Sequence, residues 1–550
     1  MSGDTTLDAT LSTNPAPQTC DTQPALVAEQ HYDGRAVRCF AQRPPHVDAM
    51  FRATVARVPG NIALVFEGRR VDYAEFARSV DAAVEQFTIR GIQRGDRVAL
   101  LLGNRPAFAY ALLAVARLGA IAVPMNTRQR APEIAYMLDH CGAVALVFDA
   151  ACAAELPAAE GLAKLHSYFR VDDGWQLLLD DRSAPCSSAC AAIEPELIVE
   201  EDPFCILYTS GTTGKPKGAM QTHLGIVHST LHYQYALDLR SDDAALLAVP
   251  ASHVTGLVAI LLAMIRVGGR TLIMEQFNAR AFLELAARER MTYTLVVPAI
   301  YNLCLLQPDF ASLDLTHWRI GGFGGAPMPA ATVQKLAAQL PHLALANVYG
   351  ATETTGPAVI QPLGLHAPAD AIGKTAACAD IRVVDADGRD VPPGAAGELL
   401  INGPMTVPGY WDNAAANAAS FVDGYWRSGD IGSIDADGWV RVFDRQKDMI
   451  NRAGYKVYSA EVENVLSHHP GVVECAVVGR PDPVLGERVH AFVVRKHDAV
   501  DAEDLRGFCA TRLSDYKVPE AFSFIDVLPR NAAGKILKPE LRALVPGIAR

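Results

Sequence analysis

Short apolar runs, each about one strand long, recur between helical stretches through the first three hundred residues. That alternation constrains the fold more than any other feature. Val98-Ala-Leu-Leu-Leu102, Val144-Ala-Leu-Val-Phe148, Phe204-Cys-Ile-Leu-Tyr208, Ala245-Leu-Leu-Ala-Val249 and Leu295-Val-Val297 read as buried strands. Helical windows such as Phe108 to Leu118 and Ala279 to Glu289 lie between them. The pattern predicts an α/β architecture with stacked, largely parallel sheets. At 550 residues the chain exceeds what one core can organise, so several domains are expected.

The pattern changes after about residue 370. Ile381-Arg-Val-Val384 and Glu398-Leu-Leu-Ile401 flank Asp385-Ala-Asp-Gly388 and Pro392-Pro-Gly394, which predicts hairpins in a β-rich subdomain. Asp385–Gly388 and Asp435–Gly438 begin like calcium loops, but the remaining ligands are missing, and tight turns are the reading. The last hundred residues run strand, helix, strand, strand, helix, strand: a small α+β module. Residues 1–45, with Pro and Thr early and few periodic apolar positions, read as a flexible extension.

Charge and cysteine usage narrow the functional classes. Lys plus Arg number 49 against 61 Asp plus Glu, a net −12 that argues against nucleic acid as a partner. No basic leader precedes an apolar run at the N-terminus, so a secretory signal is not expected. Val254 to Ile265 is too short to span a bilayer, and Arg117 and Gly119 interrupt Ala107 to Met125, which reads as helix, turn and strand. No membrane span is predicted. Eleven scattered cysteines, with Cys186 and Cys190 the only close pair, fit buried or loop thiols in a reducing cytoplasm.

The densest chemical signal is Tyr208-Thr-Ser-Gly-Thr-Thr-Gly-Lys-Pro-Lys-Gly218, directly after an apolar strand. Its glycines let backbone N–H groups approach an anion, its hydroxyls donate to phosphate oxygens, and its lysines add charge. It is not a Walker A loop, because no Gly-Lys-Ser/Thr closes the frame. The segment resembles the phosphate-binding signature of the adenylate-forming superfamily, which includes acyl- and aryl-CoA synthetases, peptide-synthetase adenylation domains and beetle luciferases. Further signatures follow in order from about residue 50 to 545: Gly324-Gly-Ala-Pro327, Asn347-Val-Tyr-Gly-Ala-Thr-Glu353, Tyr425-Trp-Arg-Ser-Gly-Asp430, Asp444-Arg-Gln-Lys-Asp448 with Gly454-Tyr-Lys-Val457, and Asn531-Ala-Ala-Gly-Lys535.

The resemblance implies an adenylation domain over residues 46–443 and a small, mobile α+β C-terminal domain over 444–550. It implies an ATP site formed by Thr209, Ser210, Gly211, Thr212, Thr213, Gly214 and Lys215, with Tyr349 and Gly350 facing Gly325, Ala326 and Pro327 across the adenine. Thr352 would meet the α-phosphate, Glu353 would hold Mg2+, and Asp430 and Arg445 would contact the ribose. Lys535 becomes the catalytic cation of adenylate formation, although a lone Lys in a polar turn is ordinarily just solvated. Lys447 matches the pivot about which the C-terminal domain turns, and Gly454 would help complete a thiol tunnel. His253 matches a position between the acyl and thiol sites, and Val254, Thr255, Gly324, Val348, Gly350 and Thr355 would line the acyl pocket with it.

The resemblance therefore implies an AMP-forming ligase that activates an apolar monocarboxylic acid, aromatic or fatty, and passes it to coenzyme A. Its co-substrates are ATP and coenzyme A, with Mg2+ as cofactor, and a homodimer is one open possibility. Ala251 to Gly256 carries no acid to hold an α-amino group, and the chain ends 15 residues after Lys535, which leaves no carrier domain in cis. A ligase loading a separate acyl carrier protein is the alternative acceptor. A catalytically inactive nucleotide-binding regulator conflicts with intact Lys535, Glu353 and Asp430. An NAD-dependent oxidoreductase would need a G-x-G-x-x-G turn that Gly321–Gly325 does not supply.

Overall fold

The apolar helix Pro106–Arg117, eleven of whose twelve residues are buried, packs between strands Arg97–Leu101 and Ile121–Pro124 and the helices Val47–Arg57 and Tyr73–Ile89. A helix apolar on every side can only sit inside, and Pro at its first turn sets the entry without costing a hydrogen bond. The computed structural model describes residues 24–545 apart from 33, 159–161, 185–196, 210–214, 366, 454, 497–499 and 531–534. Among the described residues no helix is long and apolar enough to cross a membrane.

The first sheet has seven strands, ordered Lys217–Thr222, Pro203–Thr209, Ile121–Pro124, Arg97–Leu101, Ala145–Asp149, Ser167–Val171, Leu177–Leu179. Its interior pairings are parallel and its two edge pairings antiparallel. The second sheet begins as a parallel array that includes Ala244–Leu247, Tyr293–Val296, Ile320–Gly324 and Ala344–Ala351. At Gly356–Ile360 the direction reverses, and antiparallel strands follow to a total of fourteen. The expected β-rich part is thus hydrogen-bonded onto the end of a parallel sheet, and it starts near residue 356, not 370. Gly356–Ile360 folds straight back on Ala344–Ala351 through a single 3₁₀ turn, so no break in composition marks the junction.

The hairpin of Asp380–Val384 with Gly397–Asn402 forms as read. Asp385 and Asp435 each accept two backbone N–H groups within their own turns, which is what a tight Asx turn needs.

A five-stranded sheet over residues 450–524 carries a separate apolar core around Val462, Leu466, Val477, Val489 and Leu505. Helices Ser459–Ser467, Ala502–Ala510 and Lys538–Ala543 complete this small module.

Part of the expected flexible extension is built into the fold. Leu26–His31 pairs antiparallel with Arg35–Phe40, burying Val37, Cys39 and Phe40. Arg43 forks between Glu29 and Glu200, and the Phe40 N–H donates to His228 Nε2 at 3.2 Å. Glu200 and His228 lie 157 and 188 residues away from the groups they meet, which is why local composition misread the segment. The rest of the expected extension, residues 1–23, falls outside the described residues, as do Cys186 and Cys190.

Candidate active site

Gly324 to Pro327 and Val348 to Gly350, among the predicted site residues, lie at the C-terminal ends of two adjacent parallel strands, where α/β sheets usually place ligands. Strand Ile320–Gly324 delivers Gly325, Ala326 and Pro327 as an exposed rim. Its neighbour Ala344–Ala351 holds Val348 in register with Gly324, so Tyr349 and Gly350 emerge beside that rim. A side chain on Gly350 would collide with the Gly356 carbonyl, so the fold-back between these two strands demands glycine there.

Tyr349 donates its hydroxyl to Asp430 Oδ2 at 2.6 Å. Asp430 is buried and also pairs with Arg445 Nε at 2.8 Å, its cross-strand neighbour. Burial, and then the Asp430 charge, push the Tyr349 phenol well above its ordinary range, so it stays a donor. The proposed adenine wall and ribose carboxylate are therefore one hydrogen-bonded unit spanning two stretches of the large sheet.

Strand Lys217–Thr222, which follows the phosphate loop, organises the acid beside it. Gln221 donates to the Thr352 carbonyl at 2.9 Å, and Lys217 Nζ lies over the Tyr410 ring. Tyr410 in turn donates to Glu353 Oε1 at 2.8 Å, leaving Oε2 for a hard cation. The Trp411 N–H donates to the Gly218 carbonyl at 2.7 Å, stitching this loop to the same strand. Sequence reasoning missed Gln221 and Tyr410, since neither stands in a signature and both act through partners far along the chain. Thr209 and Lys215 flank the phosphate loop, with Lys215 Nζ over the Tyr136 ring. Ser210, Gly211, Thr212, Thr213 and Gly214 lie outside the described residues, as does Gly454.

His253 sits in the turn before Thr255–Leu262, an eight-residue π-helix. Such widened turns concentrate at functional sites. His253 Nδ1 accepts the Thr255 N–H at 3.3 Å. Loss of hydration, and then the Lys535 charge, lower its pKa to about 4, so the ring is neutral at physiological pH. The Lys535 residue is exposed by area, yet its ammonium is held in a crowded place. Desolvation and then Arg445 push it down to about 8, with Lys447 adding to the repulsion and Asp430 and Asp448 opposing it. The small module thus brings Lys535 close enough for His253, Asp430 and Arg445 to share its field.

Val254 and Val348 are buried and Thr255 is half-buried. Thr355, expected in the acyl pocket, is fully buried and spends its hydroxyl on the Met405 carbonyl at 2.6 Å. Lys447 lies exposed in the turn after Trp439–Arg445, the last strand of the large sheet, and its carbonyl accepts from Arg542 at 3.2 Å.

The AMP-binding enzyme family model matches residues 51–411, and the AMP-binding enzyme C-terminal domain model matches 461–535. The chain belongs to the AMP-binding enzyme family. This AMP-binding enzyme is 36% identical over 487 residues to a feruloyl-CoA synthase of an Amycolatopsis species, covering 88% of this chain and 96% of the relative. It is 36% identical over 477 residues to a long-chain-fatty-acid–CoA ligase of Mycobacterium tuberculosis, covering 86% and 93%. Among solved structures, an anthranilate CoA ligase in complex with anthranoyl-AMP superposes with a TM-score of 0.83 at 25% identity, covering 91% of this chain and 97% of that one.

Proposed function

We propose that this AMP-binding enzyme is an AMP-forming acyl-CoA synthetase acting on an apolar monocarboxylic acid, aromatic or fatty. The observation that carries the proposal is Lys535. It arrives from the small module beside the Tyr349–Asp430–Arg445 unit and His253, where an acid and a nucleotide would meet. The feruloyl and long-chain fatty acyl ligases among its relatives support both acid types.

In the first half-reaction a carboxylate oxygen attacks the α-phosphorus of ATP, the bond to pyrophosphate breaks, and an acyl-AMP forms. Two anions must approach, so a cation bridging them lowers the barrier and aligns the attack. Lys535 supplies that cation, and Thr352 meets the α-phosphate. Thr209, Ser210, Gly211, Thr212, Thr213, Gly214 and Lys215 cradle the phosphates, and Gly325, Ala326, Pro327, Tyr349 and Gly350 enclose the adenine. Asp430 and Arg445 take the ribose. Glu353, steadied by Tyr410, would hold the Mg2+ that offsets phosphate charge. In the second half-reaction the coenzyme A sulfur attacks the acyl carbon and AMP leaves. Neutral His253 stands between the two sites, Val254, Thr255, Gly324, Val348, Gly350 and Thr355 surround the acyl group, and Gly454 borders the thiol path.

We place the boundary of the turning unit at Asp444, where the strand Trp439–Arg445 of the large sheet ends, with Lys447 as pivot. Eight free thiols among the described residues, seven of them buried, fit a reducing compartment, and we assign the enzyme to the cytoplasm. Pyrophosphate release over a panel of carboxylic acids, with product masses taken with and without coenzyme A, tests the reading. Stoichiometric ADP and phosphate would overturn it, and thioester formed only on an acyl carrier protein would replace the acceptor.

A further inference from the structure

Helix His223–Ala236 presents Gly225, Ser229 and Tyr233, each four residues apart, along one stripe. Cβ atoms built on glycines locate what this stripe faces. One on Gly225 would stand 3.0 Å from Thr355 Oγ1, and one on Gly356 would stand 3.3 Å from the Tyr233 hydroxyl and 3.8 Å from Ser229 Cβ. The stripe therefore lies against the Thr355–Gly356 fold-back, directly behind Gly350, with the π-helix Thr255–Leu262 packed on the same helix. The acyl pocket proposed above would end against this wall.

Two hydroxyls on that wall form no hydrogen bond among the described residues. Ser229 is fully buried and its Oγ has no hydrogen-bond partner. Tyr233 is 2% exposed, and no hydrogen bond to its hydroxyl forms among the described residues. The contrast with their neighbours is informative. Thr230 bonds the Val227 carbonyl, Tyr293 the Ala259 carbonyl and Thr355 the Met405 carbonyl. A buried hydroxyl without a partner is destabilising, so the Ser229 hydroxyl calls for one, and the Tyr233 hydroxyl stands one helical turn along the same stripe. Gly356, having no side chain, keeps the space between them clear.

We infer that Ser229 and Tyr233 recognise a hydroxyl at the end of the acid opposite its carboxylate, so that the substrate class is a distally hydroxylated acid with an apolar body. This rests on the ligase reading above and narrows it from any apolar monocarboxylate. The Val254 and Val348 side chains accept the apolar body, and the two hydroxyls accept from and donate to the distal group. A pocket built to bond a hydroxyl rejects the analogue lacking it, because its own polar groups are then left buried and unpaired.

Matched pairs of acids test this, with pyrophosphate release as the readout: 4-hydroxycinnamate against cinnamate, and 12-hydroxydodecanoate against dodecanoate. The parent enzyme is expected to favour the hydroxylated member of whichever pair it turns over by about 10- to 100-fold in kcat/KM. Tyr233→Phe and Ser229→Ala should each reduce that preference by about tenfold, the shift residing in the ratio and not in AMP binding. AMP titration confirms that each variant is folded, and Ser229→Ala alone suffices if the other is not. A parent ratio near one, or a ratio unchanged in the folded variants, overturns the inference and leaves the ligase intact. Failure to release pyrophosphate with any acid refutes the ligase reading itself.

Discussion

Raising the pH should switch off adenylate formation through one group. Lys535 has its pKa pushed down to about 8, by desolvation first and by Arg445 second. A lysine depressed in this way keeps its charge below that value and loses it as pH rises through it. Roughly three-quarters of the free enzyme then carries the cation at pH 7.5, and roughly a tenth at pH 9. With the acid saturating and coenzyme A omitted, kcat/KM for ATP should fall about tenfold per pH unit above 8, towards a floor ~10²–10³ lower. Lys535→Ala should lie on that floor with a flat profile. It should nevertheless convert supplied acyl-adenylate and coenzyme A to thioester, because the proposed turn would carry position 535 away from the site. Lys535→Arg keeps its charge throughout and should lose the limb at pH 8. The assay is pyrophosphate release in the first half-reaction from pH 6.5 to 10. A parent profile level to pH 10, or Lys535→Ala forming adenylate at the parent rate, would refute the assignment of this lysine.

Lys447→Pro fixes φ where rotation is proposed, so adenylate formation should persist while thioester formation falls at least tenfold; equal loss in both half-reactions, measured separately, would misplace the pivot. Asp444, before the proposed pivot at Lys447, accepts from the Ser459 N–H and hydroxyl beyond it, so the proposed turn would break these two buried bonds, while Lys538 stays with Ser459 and Glu463. Ser459→Ala should therefore slow adenylation about 3- to 10-fold and spare the thioester step, and rapid-mix kinetics showing the reverse would exclude it as a clasp. His223, His228 and His232 accept the backbone N–H groups of Val47, Phe40 and Cys378, and burial pushes them down to about 3, 4 and 3. Unfolding raises each pKa, so their stability contribution is present above pH 6.5 and is lost as pH falls from there towards 4. Tm should hold level from pH 7 to 8 and drop steeply from 6.5 to 4.5, less so in His228→Gln; a Tm unchanged down to pH 5 would refute this.

The parallel strands were legible because each is a continuous apolar run shut in on both faces. Arg97–Leu101 and Ala145–Asp149 fall within a residue of the expected runs. The nucleotide signatures were legible because anion binding needs glycine, hydroxyl and lysine at close spacing, which one stretch of chain supplies. The family was legible from their order. The hairpin at residues 26–40 was not, because its strands are held by Glu200, Thr222 and His228, and no local composition encodes partners so distant.

Sequence alone thus determined which residues carry charge and which carry hydroxyls, since backbone spacing and side-chain chemistry are local properties. Tertiary structure alone decided what those groups meet. It put Tyr349 on Asp430, Tyr410 on Glu353 and Lys535 beside His253, each across a separation of more than fifty residues. It also left Ser229 unpaired while giving Thr355 a carbonyl. Hydrogen bonding and desolvation depend on which surfaces come together in space, and the chain's order does not state that.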